Sequence, residues 1–249
     1  MPISLAVTAD GDIVVTDYNK RCLQFLDKDF SLKQKVKLRY KPEYVAALTN
    51  GDLLVTGDGH LIHVLDKHGR RGARIFHVTG ALAKVETTKG IAVDGLGRIV
   101  VTIGYQVFVL SPIGDVILKF GDKGQGQQQF DSFLRVAVNS RNQIIVSDCS
   151  NGNLKIFNPA GLHLFTCGSL GSGPGQLYRP YSVITDSEDN IILADCYNRR
   201  VSVFSRDGTF IRHLLTKEGH GLNSPTGLTL TDDLDLVVSE NKSIKMFHL

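Results

Sequence analysis

The stretch GSLGSGPGQLYRPYSVITDSEDNIILADCYNRRVSVF, residues 168–204, decides the fold. A glycine-rich connector leads through Pro180 into a short apolar strand, and a polar turn at 187–190 leads to a second strand that ends at Asp195. A charged loop and a third strand ending at Phe204 complete the pattern. Glycine, aspartate and asparagine favour tight turns, and β-branched and apolar residues between such turns favour strands. The stretch therefore predicts consecutive antiparallel strands.

The same pattern recurs along the whole chain. When the copies are aligned on the residue that closes the second strand, the anchors are Asp17, Gly57, Ile103, Asp148, Asp195 and Glu240. The gaps between these anchors are 40, 46, 45, 47 and 45 residues. Four antiparallel strands repeated at about 40–45 residues are typical of a β-propeller. We therefore predict an all-β fold, a six-bladed β-propeller whose first strands line the central channel, with no second domain.

The copies are expected at residues 2–41, 42–87, 88–132, 133–179, 180–224 and 225–249. The last copy stops after its third strand, so we expect its blade to be incomplete within this chain. Residues preceding Met1 in the natural protein are expected to supply the missing fourth strand.

The composition is that of an ordinary globular protein, with 249 residues, 42% hydrophobic and 21% charged. A net charge of +3 is too small to indicate nucleic-acid binding by itself. Apolar runs of four to six residues are too short for a membrane helix, and we expect no membrane association and no secretory signal. The four cysteines form no CxxC pair, so we expect reduced thiols and a cytoplasmic location.

The fifth copy resembles the NHL repeat. It carries a glycine-rich connector ending in Gly175-Gln176-Leu177, then Pro180, the strand Ile191–Asp195 and the triplet Asn198-Arg199-Arg200. Copy four matches through Gly126, Gln129-Phe130 and Ile144–Asp148, but has Asn151-Gly152-Asn153 in place of the triplet. Copy one has Asn19-Lys20-Arg21, in a loop that we read as one residue shorter. The other copies keep the strands and lose the triplet.

A six-bladed NHL propeller is similar to the C-terminal domain of TRIM-type ubiquitin ligases. The resemblance implies a non-catalytic recognition module placed behind RING, B-box and coiled-coil regions. It also implies binding of RNA on the face that carries the loops into the innermost strands, or binding of protein partners such as ubiquitination substrates.

Two sets of loops lie on that face, from fourth strands to the next first strands and from second to third strands. They carry cations that could pair with phosphates and tyrosines that could stack on unpaired bases. The candidate RNA- or partner-binding residues are Tyr18, Lys20, Arg21, Lys41, Tyr44, Lys89, Arg135, Arg179, Tyr181, Tyr197, Arg199 and Lys242. A structural role competes with binding for Arg21 and Arg200, as it does for the strand-closing aspartates.

Three functions are open at this point. RNA binding leads, and a protein-interaction propeller is the alternative, supported by the low total charge and by Glu43, Glu86 and Glu218 on neighbouring loops. The third, an enzyme, is disfavoured because the innermost strands offer no set of metal ligands, so we expect neither catalysis nor a metal or cofactor. The glycine-rich segments resemble phosphate-binding loops, but no helix follows them, and we interpret them as connectors.

Overall fold

Each sequence copy forms one antiparallel sheet, because tight polar turns join strands that are consecutive in the chain. The computed structural model describes residues 1–78 and 88–249, so the end of the second copy, at 79–87, lies outside the described residues. Blade one has β1 (Pro2–Val7), β2 (Ile13–Asp17), β3 (Cys22–Leu26) and β4 (Leu32–Lys37). Blade two has β5 (Val45–Ala47), β6 (Leu53–Asp58), β7 (Leu61–Leu65) and β8 (Arg71–His77). Blade three has β9 (Thr88–Val93), β10 (Ile99–Ile103), β11 (Gln106–Leu110) and β12 (Val116–Phe120).

The second half of the chain continues this order. Two short strands, β13 (Asp122–Lys123) and β14 (Gln129–Phe130), pair in parallel within the connector that follows blade three. Blade four has β15 (Leu134–Val138), β16 (Ile144–Asp148), β17 (Asn153–Phe157) and β18 (His163–Cys167), and its connector pairs β19 (Ser169–Leu170) with β20 (Gln176–Leu177). Blade five has β21 (Pro180–Thr185), β22 (Ile191–Asp195), β23 (Arg200–Phe204) and β24 (Phe210–Leu215). A four-residue helix, α1 (Lys217–His220), leads to blade six, which has β25 (Pro225–Leu230), β26 (Leu236–Glu240) and β27 (Ile244–Phe247).

The first strands of the six sheets form a closed ring. Contacts run from β1 to β5, β9, β15, β21, β25 and back to β1. These strands line a central channel with a cavity of about 370 Å³. The predicted all-β, six-bladed propeller is confirmed, and the sixth sheet has three strands. That a segment preceding Met1 completes it stays a prediction.

A hydroxyl at the next-to-last position of the second strand ties neighbouring first strands together. The Thr16 hydroxyl donates to the carbonyl of Glu43 at 2.9 Å, and that of Thr102 donates to the carbonyl of Leu134 at 3.0 Å. The Ser147 hydroxyl reaches the Pro180 carbonyl in the same way, at 3.1 Å. Because these hydroxyls are fully buried and paired, they hold the ring at the positions where the loop-rich face begins.

All four cysteines are free and buried. Burial raises the pKa of the Cys149, Cys167 and Cys196 thiols to about 12, so they stay protonated at neutral pH. Within the described residues, no helix is long and apolar enough to cross a membrane.

Candidate nucleic-acid interface

The buried aspartates that close the second strands organise the loops of the candidate face. Asp195 accepts hydrogen bonds from the Tyr178 backbone N–H at 2.7 Å and from the Asn198 amide at 2.8 Å. Asp148 binds the backbone N–H of Asp131 and the side chain of Asn151 in the same arrangement. Each carboxylate therefore links the connector before its blade to the loop after its second strand, which is the structural role considered from the sequence.

Arg200 holds the glycine-rich connector of blade five in place. Its Nε donates to Asp195 at 2.8 Å, and its two terminal nitrogens donate to the carbonyls of Ser172, Gly173 and Gln176 at 2.7–3.1 Å. The Gln176 side chain folds back to accept from the Gly173 N–H at 2.9 Å. The motif glycines and glutamine are therefore structural, and the connector interpretation agrees with this geometry.

Blade four holds its connector with a different residue. Asn153 occupies the position of Arg200, since it pairs with Asp148 as Arg200 pairs with Asp195. The connector carbonyls are bound instead by Lys155, two residues further along, which donates to Gly126 at 2.8 Å and also to Gln129. Lys155 is buried, and burial lowers the pKa of its ammonium group. The sequence interpretation missed this exchange because it followed the triplet alone.

The structure corrects the alignment of copy one. Asp17 pairs with Cys22, so Cys22 and not Arg21 stands at the position of Arg200. The loop is therefore not one residue shorter. Arg21 corresponds to Arg199; both side chains are exposed, and both residues have a positive φ, 50° and 53°. The structural role considered for Arg21 is wrong, and it remains a candidate for binding.

A cavity of about 450 Å³ opens where the central channel meets the loop-rich face. Five of the predicted site residues line it, together with Glu43 and the exposed Phe133. The five are Tyr18, Tyr44, Lys89, Arg135 and Tyr181. The chain thus brings residues from five blades to one place.

Arg135 lies at the floor of this cavity, between two aromatic rings. Its guanidinium carbon is 4.6 Å from the ring centre of Tyr44 and 5.1 Å from that of Tyr181. The side chain is only 6% exposed, and one terminal nitrogen donates to the Leu134 carbonyl at 2.9 Å. Within residues 1–78 and 88–249, Nε has no hydrogen-bond partner. Burial raises the pKa of the Tyr44 hydroxyl, an effect that the positive charge of Arg135 partly opposes. The sequence placed Arg135 on the surface, and the structure instead makes it a buried cation with an unused donor.

Further cations on this face also lie against tyrosine rings. Lys41 is 4.7 Å from the ring centre of Tyr18. Arg179 is 4.9 Å from that of Tyr197, and Tyr178 packs edge-on against Tyr197 at 5.2 Å. The pair of Lys123 and Tyr105, at 5.4 Å, was missed by the sequence interpretation. A tyrosine one or two residues past a strand anchor, opposite a basic connector, is the signal that could have found it.

The other predicted residues are not part of these pairs. The Lys89 ammonium binds the Glu43 carboxylate at 2.9 Å, and that of Lys20 lies 3.4 Å from Asp17, so both charges are partly neutralised. Arg199 and Lys242 are exposed on the outer loops of blades five and six. Glu218 is exposed in α1, and Glu86 lies outside the described residues.

His213 adds a pH-sensitive contact to the Arg200 network. Its ring nitrogens face Arg200 at 3.0 Å and the Ser202 hydroxyl at 3.1 Å, and burial, assisted by the Arg200 charge, lowers its pKa. Below pH ~6.5 the His213 imidazole is protonated to a greater extent in the unfolded chain than in the folded chain. Protonation therefore favours the unfolded state, and this group should destabilise the fold as pH falls. We expect urea unfolding at pH 7.5 and 5.5 to show a smaller acid-induced loss of stability in His213→Gln than in the parent protein. An equal loss in both proteins would contradict this role.

Among residues 1–78 and 88–249, no group of three His, Cys, Asp or Glu side chains is arranged to hold a metal ion. No model of a protein family matches the sequence. The chain is 32% identical over 133 residues to protein brain tumor of Drosophila melanogaster, an alignment that covers 48% of this chain and 12% of that protein. The chain therefore corresponds to a small part of the curated relative that it matches.

Solved structures share the propeller at low identity. A streptogramin B lyase superimposes with a TM-score of 0.72 at 14% identity, covering 100% of this chain and 83% of its own. A gluconolactonase from Xanthomonas campestris gives 0.74 at 14%, covering 98% and 84%. Regucalcin from Agrobacterium tumefaciens, a calcium-binding protein, gives 0.73 at 13%, covering 98% and 83%.

These likenesses correct one prediction. We expected from the sequence that this domain is not an enzyme, and that conclusion is overturned because the same propeller occurs in a lyase and a lactonase. The fold is one that supports catalysis. At 13–14% identity, the likeness is one of fold.

Proposed function

We propose that this propeller is a recognition module that binds RNA, single-stranded or in stem-loops, through its loop-rich face. One observation carries the proposal, the set of cation–tyrosine pairs around the channel mouth. Three of these pairs involve Lys41, Arg135 and Arg179. Within the described part of the chain, no carboxylate forms an ion pair with any of these three.

This arrangement suits a strand whose bases are unpaired. Tyrosine rings offer stacking faces to any base, and nearby cations attract the phosphates between the bases. Contact with a ring also restricts a long cationic side chain before the ligand arrives, which lowers the entropy lost on binding. The resemblance of copies one, four and five to NHL repeats supports the same function.

We further propose that the full-length protein is a TRIM-like ubiquitin ligase in which the propeller selects the RNA or the substrate. The support is the repeat resemblance described above, together with the partial similarity to protein brain tumor. A cytoplasmic location belongs to this proposal and is supported by the four free cysteines.

An electrophoretic shift assay with short single-stranded and stem-loop RNAs tests RNA binding. We expect binding at about 50–100 mM salt that weakens steeply at about 200 mM, because each phosphate contact releases counterions. A double-stranded DNA of equal length is the control and should bind more weakly, since its bases are not available for stacking. Absence of any RNA shift at the lower salt concentration would overturn the proposal.

A protein partner is the second candidate, favoured by the mixed character of the channel mouth. Phe133 is 45% exposed beside the cavity, and the ion pair of Lys89 with Glu43 neutralises a cation there. An exposed aromatic side chain beside balanced charges is typical of a protein interface.

Charge reversal of Lys41 and Arg179 separates the two candidates, because both side chains lie at the surface of the face. Arg135 is unsuitable for this purpose, since a carboxylate at its buried position would unfold the blade. Loss of RNA binding in Lys41→Glu/Arg179→Glu supports the first candidate. Retained RNA binding together with loss of a co-purifying protein supports the second.

A further inference from the structure

The outer strand of blade one and the connector that follows it carry a row of cations, of which the predicted site includes only Lys41. From Lys33 to Lys41, every second side chain is a lysine or arginine and is exposed, while the residues between them are half-buried. Lys35, Lys37, Arg39 and Lys41 are called the rim strip below. Lys35 and Lys37 lie in β4, where alternate side chains are about 6.6–6.8 Å apart and point to the same side, and Arg39 and Lys41 follow in the connector to blade two.

The charges of the rim strip are not balanced locally. Lys33, just below it, binds Asp12 at 2.7 Å and is neutralised. The sequence has no acidic residue between Asp29 and Glu43. Within residues 1–78 and 88–249, no member of the rim strip takes part in an ion pair.

Protection of an exposed sheet edge does not account for the rim strip. Lysines on edge strands do prevent edge-to-edge pairing. However, the outer strands of blades three, four and five expose Ile117, Leu164 and Ile211, with at most one cation each. Three blades therefore protect their outer edges without a row of cations. Edge protection does not explain the row on blade one.

The rim strip leads directly to the channel mouth. Its last member, Lys41, lies over the ring of Tyr18, which lines the cavity there. The Leu38 N–H donates to the Arg21 carbonyl at 2.8 Å, so the exposed Arg21 lies beside the strip. The cations therefore form one continuous path from the loop-rich face over the outer edge of blade one.

We propose that the rim strip holds the backbone phosphates of an RNA strand where the strand leaves the loop-rich face. This inference rests on the proposed function and adds the direction in which the RNA runs. Lys35, Lys37 and Arg39 offer exposed positive charge, so this part of the strip binds the backbone whatever the base sequence. RNA long enough to pass blade one then binds more tightly than RNA that covers the channel mouth alone.

The test compares two variants that each lose three exposed cations. The rim variant is Lys35→Gln/Lys37→Gln/Arg39→Gln, and the control, on blade five and α1, is Arg206→Gln/Arg212→Gln/Lys217→Gln. All six side chains are exposed, so both variants should fold, and unfolding curves verify this. Binding of RNAs of about 8 and about 20 nucleotides is measured across a salt series, lengths chosen from single-strand site sizes.

We expect the rim variant to bind the longer RNA about tenfold more weakly and with a salt slope smaller by about 2, the loss of three single-strand phosphate contacts. The shorter RNA should bind to the rim variant and to the parent protein with equal affinity. The control variant should show the same salt slope as the parent protein. Equal slopes in the rim variant and the parent protein would overturn the inference, as would an equal loss in the control. Poly-glutamate binding that is lost in the rim variant while RNA binding is kept would assign the strip to an acidic protein and also overturn it. In each of these cases the parent protein still binds RNA, whereas failure of the proposed function leaves no RNA bound to the parent protein at low salt.

Discussion

An Arg200→Ala variant is expected to lose about 3–5 kcal/mol of unfolding free energy, the cost of leaving one member of a buried ion pair without its partner. The Arg200 side chain is 10% exposed and that of Asp195 is 0% exposed. Without the guanidinium, the Asp195 carboxylate loses its positively charged partner. The carbonyls of Ser172, Gly173 and Gln176 lose the donor that the guanidinium supplies. Chemical denaturation followed by circular dichroism measures the change.

Arg199 provides a matched control, since it is the neighbouring residue and has the same side chain. It is exposed, so Arg199→Ala should change stability by about 0.5 kcal/mol or less. If the two variants unfold alike, Arg200 does not hold the connector in solution. Arg200→Lys tests the geometry, because a single ammonium group cannot donate along the fork that reaches Asp195 and the carbonyls together.

Tyr197→Ala is expected to have the largest effect on RNA binding among the single substitutions on the face. Loss of one stacked base costs about 1–3 kcal/mol, which corresponds to about 5- to 150-fold in affinity. Tyr197 is 49% exposed and holds both Arg179 and Tyr178 against its ring, so its removal also releases two neighbours. Titration of labelled RNA by fluorescence anisotropy at constant salt measures the loss.

Tyr197→Phe separates stacking from hydrogen bonding. The phenol accepts a hydrogen bond from Arg179 at 3.4 Å, a long contact that should contribute little. We therefore expect Tyr197→Phe to bind nearly as the parent protein does. Ile113→Ala, which removes an exposed side chain from a turn on the opposite end of the propeller, controls for a general effect of truncation. Unchanged affinity in Tyr197→Ala would show that this ring is not used.

The repeating part of the structure could be predicted from the sequence because each blade is built locally. The anchors Asp148 and Asp195 close strands as expected, and the turns between strands carry the residues that turns require. Counting copies therefore gave the number of blades and the face on which the loops gather. No long-range contact was needed for either conclusion.

The site itself was less predictable because it depends on contacts between blades. Arg135 comes to lie between rings from blades two and five, which no pattern within copy four indicates. Arg21 was aligned by motif, and only the pairing of Asp17 with Cys22 corrected its position. The rim strip is visible in the sequence as an alternation of cations with Val36, Leu38 and Tyr40 from 35 to 41, but it occurs in one copy and is therefore not part of the repeat pattern.

The exchange between Arg200 and Lys155 has a consequence for rebuilding such a protein from a consensus repeat. Introducing the arginine of blade five at Asn153 would place a second cation next to Lys155, with both directed at the carbonyls of Gly126 and Gln129. Two buried positive groups competing for one set of acceptors repel each other, so the substitution that best matches the consensus would weaken blade four. The residues at positions 153 and 155 therefore depend on each other, so a functional graft must carry both.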